Sequence, residues 1–275
     1  MFVMWREVMP MFMFNIWVLR AIIAVVLISV ISATVGSFSI FQKSTFFVSG
    51  IAHGSLAGAA LGIYLSLYFF KFNPFLMAII FSIIFALLIG YTSRKKEEVD
   101  VAIGIMFSFS MSLAILFLSM IKEYASVAWG LIIGDLLLLS QEDIQLMLLS
   151  VSLILLLFLI FRRKILFSIF DPESAESLGL NPYIYQSLLF VLIAIGVVVL
   201  LKGVGAILVY ALLIVPSAAA KRFTQTLEGT IILSLFISLL SGIGGIAFSL
   251  LSNVAPSAYA GLISTFIYFL SLFKK

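Results

Sequence analysis

The chain has 275 residues, of which 64% are hydrophobic and 10% charged, and its formal net charge is +4. A soluble domain is about 45–50% apolar and about 25% charged, so this composition cannot cover a water-exposed globule. It excludes a soluble enzyme and leaves an all-α, polytopic transmembrane helical bundle. At roughly 20 apolar residues per crossing there is no room for a second soluble domain, so 1–275 reads as one transmembrane unit. Cysteine is absent, which removes disulfides, thiolate metal sites and thiol redox chemistry.

The opening MFVMWREVMPMFMF holds five of the ten methionines together with Phe2, Trp5, Phe12 and Phe14. Residues 1–15 suit an interfacial helix better than a crossing, and a cleavable signal would need a small-residue site that this stretch lacks. A methionine-rich soft-metal site is the sharper alternative, although methionine in lipid is ordinarily just apolar.

Apolar runs then suggest crossings at about 18–40, 46–70, 74–92, 101–121, 143–161, 183–201, 204–220, 229–250 and 257–273, nine in all within a range of eight to ten. If nine crossings alternate, one side collects eleven basic residues: Lys43, Arg94, Lys95, Lys96, Arg162, Arg163, Lys164, Lys221, Arg222, Lys274 and Lys275. The other side holds Arg6, Arg20, Lys71, Lys122 and Lys202. The positive-inside rule makes the first side cytoplasmic, with the N-terminus outside and the C-terminus inside. The modest net charge is therefore topology, and no nucleic-acid partner is implied.

In the second crossing Gly50, Gly54, Gly58 and Gly62 repeat every four residues and form a stripe that lets another helix approach closely. Beside the stripe stands His53, the single histidine, with Ser49 one turn earlier on the same face. An ionisable side chain in a bilayer is costly and usually faces a cavity or a partner, which makes His53 a functional candidate. A hydrogen-bonded structural histidine is the plainer alternative.

The segment ASVAWGLIIGDLLLLSQ at 125–141 is too short to cross and return, and fits a broken or re-entrant piece at the outer face. It carries Asp135, while Glu123, Glu142 and Asp143 sit at the outer rim. One imidazole and one or two oxygens cannot build a closed four-ligand cage, but they suit a weak transit site that lets an ion leave.

FDPESAESLGLNP, at 170–182, reads as a short capped helix between two crossings. Asp171 is the N-cap, Pro172 the first helical position, Glu173 lies near the positive helix end, and Gly179 is the stop with Pro182 beyond it. Ala175 and Leu178 would give it a small apolar face while Glu173 and Glu176 stay solvated. A flexible loop would join two crossings as well, so a capped helix reads as a docking element.

Gly203, Gly205 and Pro216 bracket the next crossing, where glycines allow close packing or a break and the proline kinks the helix. A gating helix beside a pore and an ordinary proline kink both fit. Gly242, Gly244 and Gly245 mark a further closely packed stretch. The chain contains no phosphate loop, HExxH or GxSxG motif, and no carboxylate pair at helical spacing within a crossing.

Five blocks together carry a family resemblance: GSFSIFQKSTFFVSGIAHGSLAG at 36–58, DVAIGIMFS at 100–108, GDLLLLSQED at 134–143, FDPESAESLGL at 170–180 and KGVGAILVYALLIVPSAAAKRF at 202–223. In this order they resemble the membrane subunit of ATP-binding-cassette importers for zinc and manganese. The resemblance implies a permease of the cytoplasmic membrane that pairs with a second copy and with two cytoplasmic ATP-binding subunits. It implies an extracytoplasmic metal-binding protein, zinc or manganese as cargo, no tightly held cofactor, and ATP hydrolysis in the partner rather than here. Residues 170–180 are similar to the family's coupling helix. His53 matches the histidine of an aspartate–histidine pair proposed to line the metal path, but the usual aspartate is Ser49 here. Asp135 or water would then replace the carboxylate, or His53 would act alone. Imidazole without that carboxylate tips the expectation toward zinc. Two alternatives stay open: a permease for an iron chelate or corrinoid, and a secondary transporter that needs no partner.

Overall fold

Helices that are apolar around their whole circumference must meet lipid or other helices, and the long helices of this fold are of that kind. The computed structural model describes residues 16–69, 71–94, 99–122, 124–252 and 254–273. The expected interfacial helix at 1–15, Glu123, Lys95, Lys96, Lys274 and Lys275 lie outside the described residues.

In chain order the elements are α1 (Ile16–Ile31), a π-helix (Ser32–Gly36), α2 (Ser37–Phe41), α3 (Thr45–Tyr68), α4 (Pro74–Arg94), α5 (Val99–Ser119) and α6 (Tyr124–Ile133). A 3-10 turn (Leu136–Leu138) follows, then α7 (Gln141–Phe170), α8 (Pro172–Ser177), α9 (Pro182–Leu213), α10 (Val215–Phe223), α11 (Leu227–Ser252) and α12 (Pro256–Leu272). Seven continuous helical stretches among the described residues are long and apolar enough to span a bilayer, and Pro256–Leu272 is a shorter apolar helix. At 17 residues α12 is about 26 Å long, slightly under the roughly 30 Å of hydrocarbon.

One of the seven, Pro182–Phe223, is two traverses rather than one. Gly205 has φ 75° and ψ 164°, far from helical values, and the chain doubles back there. Packing on α1 shows the reversal. Gly203 lies against Ile28, and Gly196 lies against Ile31 and Val35. Leu213 then returns to Gly36, and Ser217 bonds to Ser32 and Ser37. The described residues therefore make nine traverses of the bundle, in agreement with the crossing count read from the sequence.

The first arm of α9 is the axis of the bundle: from Leu189 to Leu201 every residue except Val191 is buried. Around it stand α3, α4 and α7, with α1, α11 and α12 completing one side. At one end lie Lys43, Arg162, Arg163, Lys164, Lys221 and Arg222, and this is called the basic end; Arg20, Lys71, Lys122 and Lys202 lie at the far end. Across the basic end, Arg162 of α7 pairs with Glu228 of α11, and the Arg222 guanidinium donates to the Ser271 carbonyl at 3.0 Å.

The expected crossing at 143–161 is too short. The helix α7 runs for 30 residues and carries Arg162, Arg163 and Lys164 within itself rather than in a loop. Its start is fixed by a capping box that apolar periodicity alone does not register: Asp143 accepts from the Ser140 amide while the Ser140 hydroxyl accepts from the Asp143 amide.

Candidate functional site

The glycine stripe of α3 seats that helix mainly on α4. A Cβ at Gly58 would lie 2.5 Å from the Met77 carbonyl oxygen, one at Gly62 2.7 Å from the Pro74 Cα, and one at Gly54 2.5 Å from the Phe85 ring. Gly50 instead faces Ile103 of α5 at 3.1 Å. Ser49 and His53 are half-buried, with His53 on the side of α3 that borders α5.

The His53 ring packs on Phe107 of α5, with centroids 4.4 Å apart. Its Nδ1 lies 2.8 Å from the carbonyl oxygen of Ser49. A carbonyl only accepts, so Nδ1 carries the proton, and in the neutral ring the lone pair is left on Nε2. A backbone carbonyl orienting one imidazole nitrogen is the arrangement that readies the other to meet a metal ion. Ser49 thus contributes its backbone to the site through this bond.

Asp135 is elsewhere. Its carboxylate accepts from the Leu137 amide at 2.8 Å and caps the 3-10 turn. It lines a cleft of about 460 Å³ at the far end with Ile63, Trp129, Leu138, Asp143 and Lys202. Ile63 is ten residues beyond His53 on α3, about 15 Å along the axis, so Asp135 is no co-ligand of His53. Among the described residues no group of three or more His, Cys, Asp or Glu side chains stands close enough to hold a metal ion. In the cleft, Lys202 lies 3.3 Å from Asp143 Oδ1.

Gly203 and Gly205 form the turn between two traverses at the far end and receive the broken segment that includes Gly134. Gly203 packs on Leu136 and Ile28, and Gly205 on the backbone of Ile132, Ile133 and Gly134. Both halves of the expectation are present at this turn: Gly203 and Gly205 pack closely, and the helix breaks at Gly205.

At the basic end Asp171 ends α7 and caps α8 at once. Its carboxylate accepts from the Ser174 amide at 3.1 Å, and the Ser174 hydrogen bonds hold the carboxyl below its ordinary 3.8. The helix ends in paired bonds, Leu180 N–H to Ala175 C=O at 3.0 Å and Gly179 N–H to Glu176 C=O at 2.9 Å, with Gly179 at φ 80°. Pro172 starts the helix, and Glu173 and Glu176 are exposed as expected. Ala175 and Leu178 do not share a face: Ala175 is completely buried and Leu178 is 73% exposed. Leu178 has already left the helix as its C-cap, which turns it outward while Ala175 packs inward. Beside α8, Leu178 and Phe170 are exposed apolar side chains.

Pro216 does interrupt its traverse. The helix breaks at Ile214 and restarts as α10 with Pro216 in its first turn, buried. Opposite the break is the π-helix, so close that a Cβ on Gly36 would collide with the Leu213 carbonyl. Four fully buried serines bind the two irregular stretches together. The Ser32 hydroxyl donates to the Leu213 carbonyl at 3.3 Å, and the Ser217 hydroxyl donates to the Ser32 carbonyl at 2.9 Å. Ser217 has then spent its one proton, so Ser37 at 3.2 Å and Ser234 of α11 at 2.7 Å donate to it. Sequence reading missed this network because lone serines in apolar helices carry no periodic signal.

The model of the ABC 3 transport family matches residues 14–275. The chain belongs to this family. Among its relatives, the high-affinity zinc uptake system membrane protein ZnuB of Haemophilus influenzae is 28% identical over 256 residues, covering 93% of this chain and 96% of that one. The manganese transport system membrane protein MntC of Listeria innocua is 33% identical over 253 residues, covering 92% and 88%. The fold is similar to PsaBC from Streptococcus pneumoniae in complex with Fab, with a TM-score of 0.86 at 26% identity over 98% of this chain and 95% of that one. An inward-facing transporter described as metal-chelate type ABC shares the fold alone, with a TM-score of 0.70 at 17% identity over 94% and 86%. Membership makes this chain a multi-pass membrane component of an ABC transport system.

Proposed function

We propose that the chain is the permease subunit of an ATP-driven importer for a divalent transition metal, zinc in preference to manganese. Two copies pair across a central path lined by α3, two ATPase subunits dock on α8, and an extracytoplasmic binding protein delivers the ion at the far end. The basic end is cytoplasmic, which puts the N-terminus outside and the C-terminus inside.

One observation carries the reading: His53 presents an oriented, half-buried imidazole on a helix whose glycine side is already packed. A single oriented nitrogen binds an ion weakly enough to release it, which is what a transit site requires. Relatives named for zinc and for manganese both match, so the preference for zinc rests on the donor. Imidazole suits zinc, and the carboxylate oxygen that would favour manganese is absent from position 49. Transport proceeds by alternating access: closure of the ATPases displaces α8, and the two copies rock about the path.

The test is ATP-dependent uptake of zinc and of manganese into vesicles holding the chain with its ATPase and binding protein, wild type beside His53→Ala. Zinc uptake that falls at least tenfold in the variant, with assembly intact, supports the assignment. Loss of assembly would make His53 structural, and uptake of neither metal by the wild type would point to a chelate as cargo.

A further inference from the structure

The docking helix has a mechanical route into the bundle. It begins at Asp171, and the residue before it, Phe170, meets the ring of Phe41 edge-on with centroids 6.0 Å apart. Lys221 places its ammonium over the same Phe41 ring, 4.6 Å from the centroid. Phe41 is the last residue of α2, a helix of five residues, and Lys221 belongs to α10, a helix of nine.

Both short helices hang from backbone irregularities. The helix α2 follows directly on the π-helix, and α10 follows directly on the break at Ile214. Such interruptions are where long helices bend, because the regular ladder of backbone bonds is broken there. The serine network fastens the two irregularities to each other and to α11. Phe38 of α2 also packs on Phe158 of α7 at 4.6 Å, so α7 holds α2 at two levels.

We propose that Phe41 and Ser217 are positioning residues that transmit displacement of the docking helix into the transport path, an inference that rests on the permease reading above. Movement at α8 pushes Phe41 through Phe170. Phe41 carries Lys221 with it, so α2 and α10 swing together about the two interruptions. Ser217 keeps the interruptions in register, so that the swing shifts α11 and the second arm of α9 rather than dissipating in one loose helix. A packed interior converts small shifts into discrete rearrangements when its elements have two arrangements.

The experiment uses the full complex of chain, ATPase and binding protein in proteoliposomes, and reads zinc or manganese ions imported per ATP hydrolysed. Phe41→Ala is expected to keep the ATPase bound and hydrolysing while imports per ATP fall about tenfold. Phe41→Tyr, which preserves the ring face, should restore at least half. Ser217→Ala should lower the same ratio at least threefold, and the double variant should be no worse than Phe41→Ala alone, as for two parts of one route. Ratios within twofold of wild type in both single variants would overturn the proposal. So would release of the ATPase by Phe41→Ala, because the residue would then be part of the docking surface. Uptake of neither metal by the wild-type complex would bring down the permease reading and this inference with it, whereas normal wild-type uptake with unaffected variants removes this inference alone.

Discussion

Gly134 and Gly205 touch backbone to backbone, each at positive φ, 63° and 75°, so that a Cβ on either would run into the main chain of the other. The contact joins the broken segment at the far end to the turn between two traverses. Neither partner can move aside as a flexible side chain would.

Gly205→Ala and Gly134→Ala should therefore each cost well over the roughly 1–3 kcal/mol of backbone strain alone, since main-chain collisions add to it. Gly203→Ala should cost less, because its nearest neighbours are side-chain tips of Leu136 and Ile28 at 3.0 and 3.2 Å. Thermal unfolding of the three variants in detergent checks the order. Equal stability of Gly203→Ala and Gly205→Ala would contradict it.

Asp143 divides its two oxygens between two tasks, Oδ2 to the Ser140 amide and hydroxyl and Oδ1 to Lys202. Asp143→Ala loses the bonds its carboxylate accepts from Ser140, the reciprocal half of the capping box, and with them the ion pair. Lys202→Met loses only the ion pair, which is half-exposed and worth about 0–1 kcal/mol. The expected result is a clear destabilisation by the first and a small one by the second, read as midpoint shifts of the purified chain. A larger loss with Lys202→Met would show that the pair, not the cap, holds the start of α7.

The cap of α8 is expected to respond to acid. The Asp171 carboxyl is held below 3.8 by its bonds to Ser174, so the charged form is the one the fold favours. Its contribution is complete above the unfolded-state value and is lost as pH falls through the lower folded-state value. Protection of the Ser174 amide against hydrogen exchange, corrected for the intrinsic rate, should hold at neutral pH and collapse only below 3.8. Asp171→Asn, an equally good cap, should keep the protection and lose this pH dependence. Unchanged pH dependence in that variant would assign the transition to another group.

The nine traverses and the caps of α8 were legible because both are local. Apolar run length marks a traverse, and D-P-E followed by glycine marks a short helix with both ends closed. The stripe from Gly50 to Gly62 announced close packing for the same reason, although the sequence does not say which helices meet it. What escaped was relational. Nothing local distinguishes Ala175 from Leu178, which end on opposite sides of the surface because one packs beneath the helix and the other lies beyond its end. Asp135 looked like a partner for His53 until α3 separated their levels. The π-helix and the Ser217 network depend on two stretches about 180 residues apart, and no pattern within either one foretells them.

The length of α7 has a geometric consequence for α8, which follows it. Thirty residues of helix measure about 45 Å against a hydrocarbon thickness of about 30 Å, so its last turns stand clear of the hydrocarbon by as much as about 15 Å, less what tilt removes. The short helix α8 is thus carried outward from the hydrocarbon boundary, toward the headgroup level or past it. If an ATPase docks on α8 as proposed, it pulls on the end of a helix that runs unbroken through the bundle.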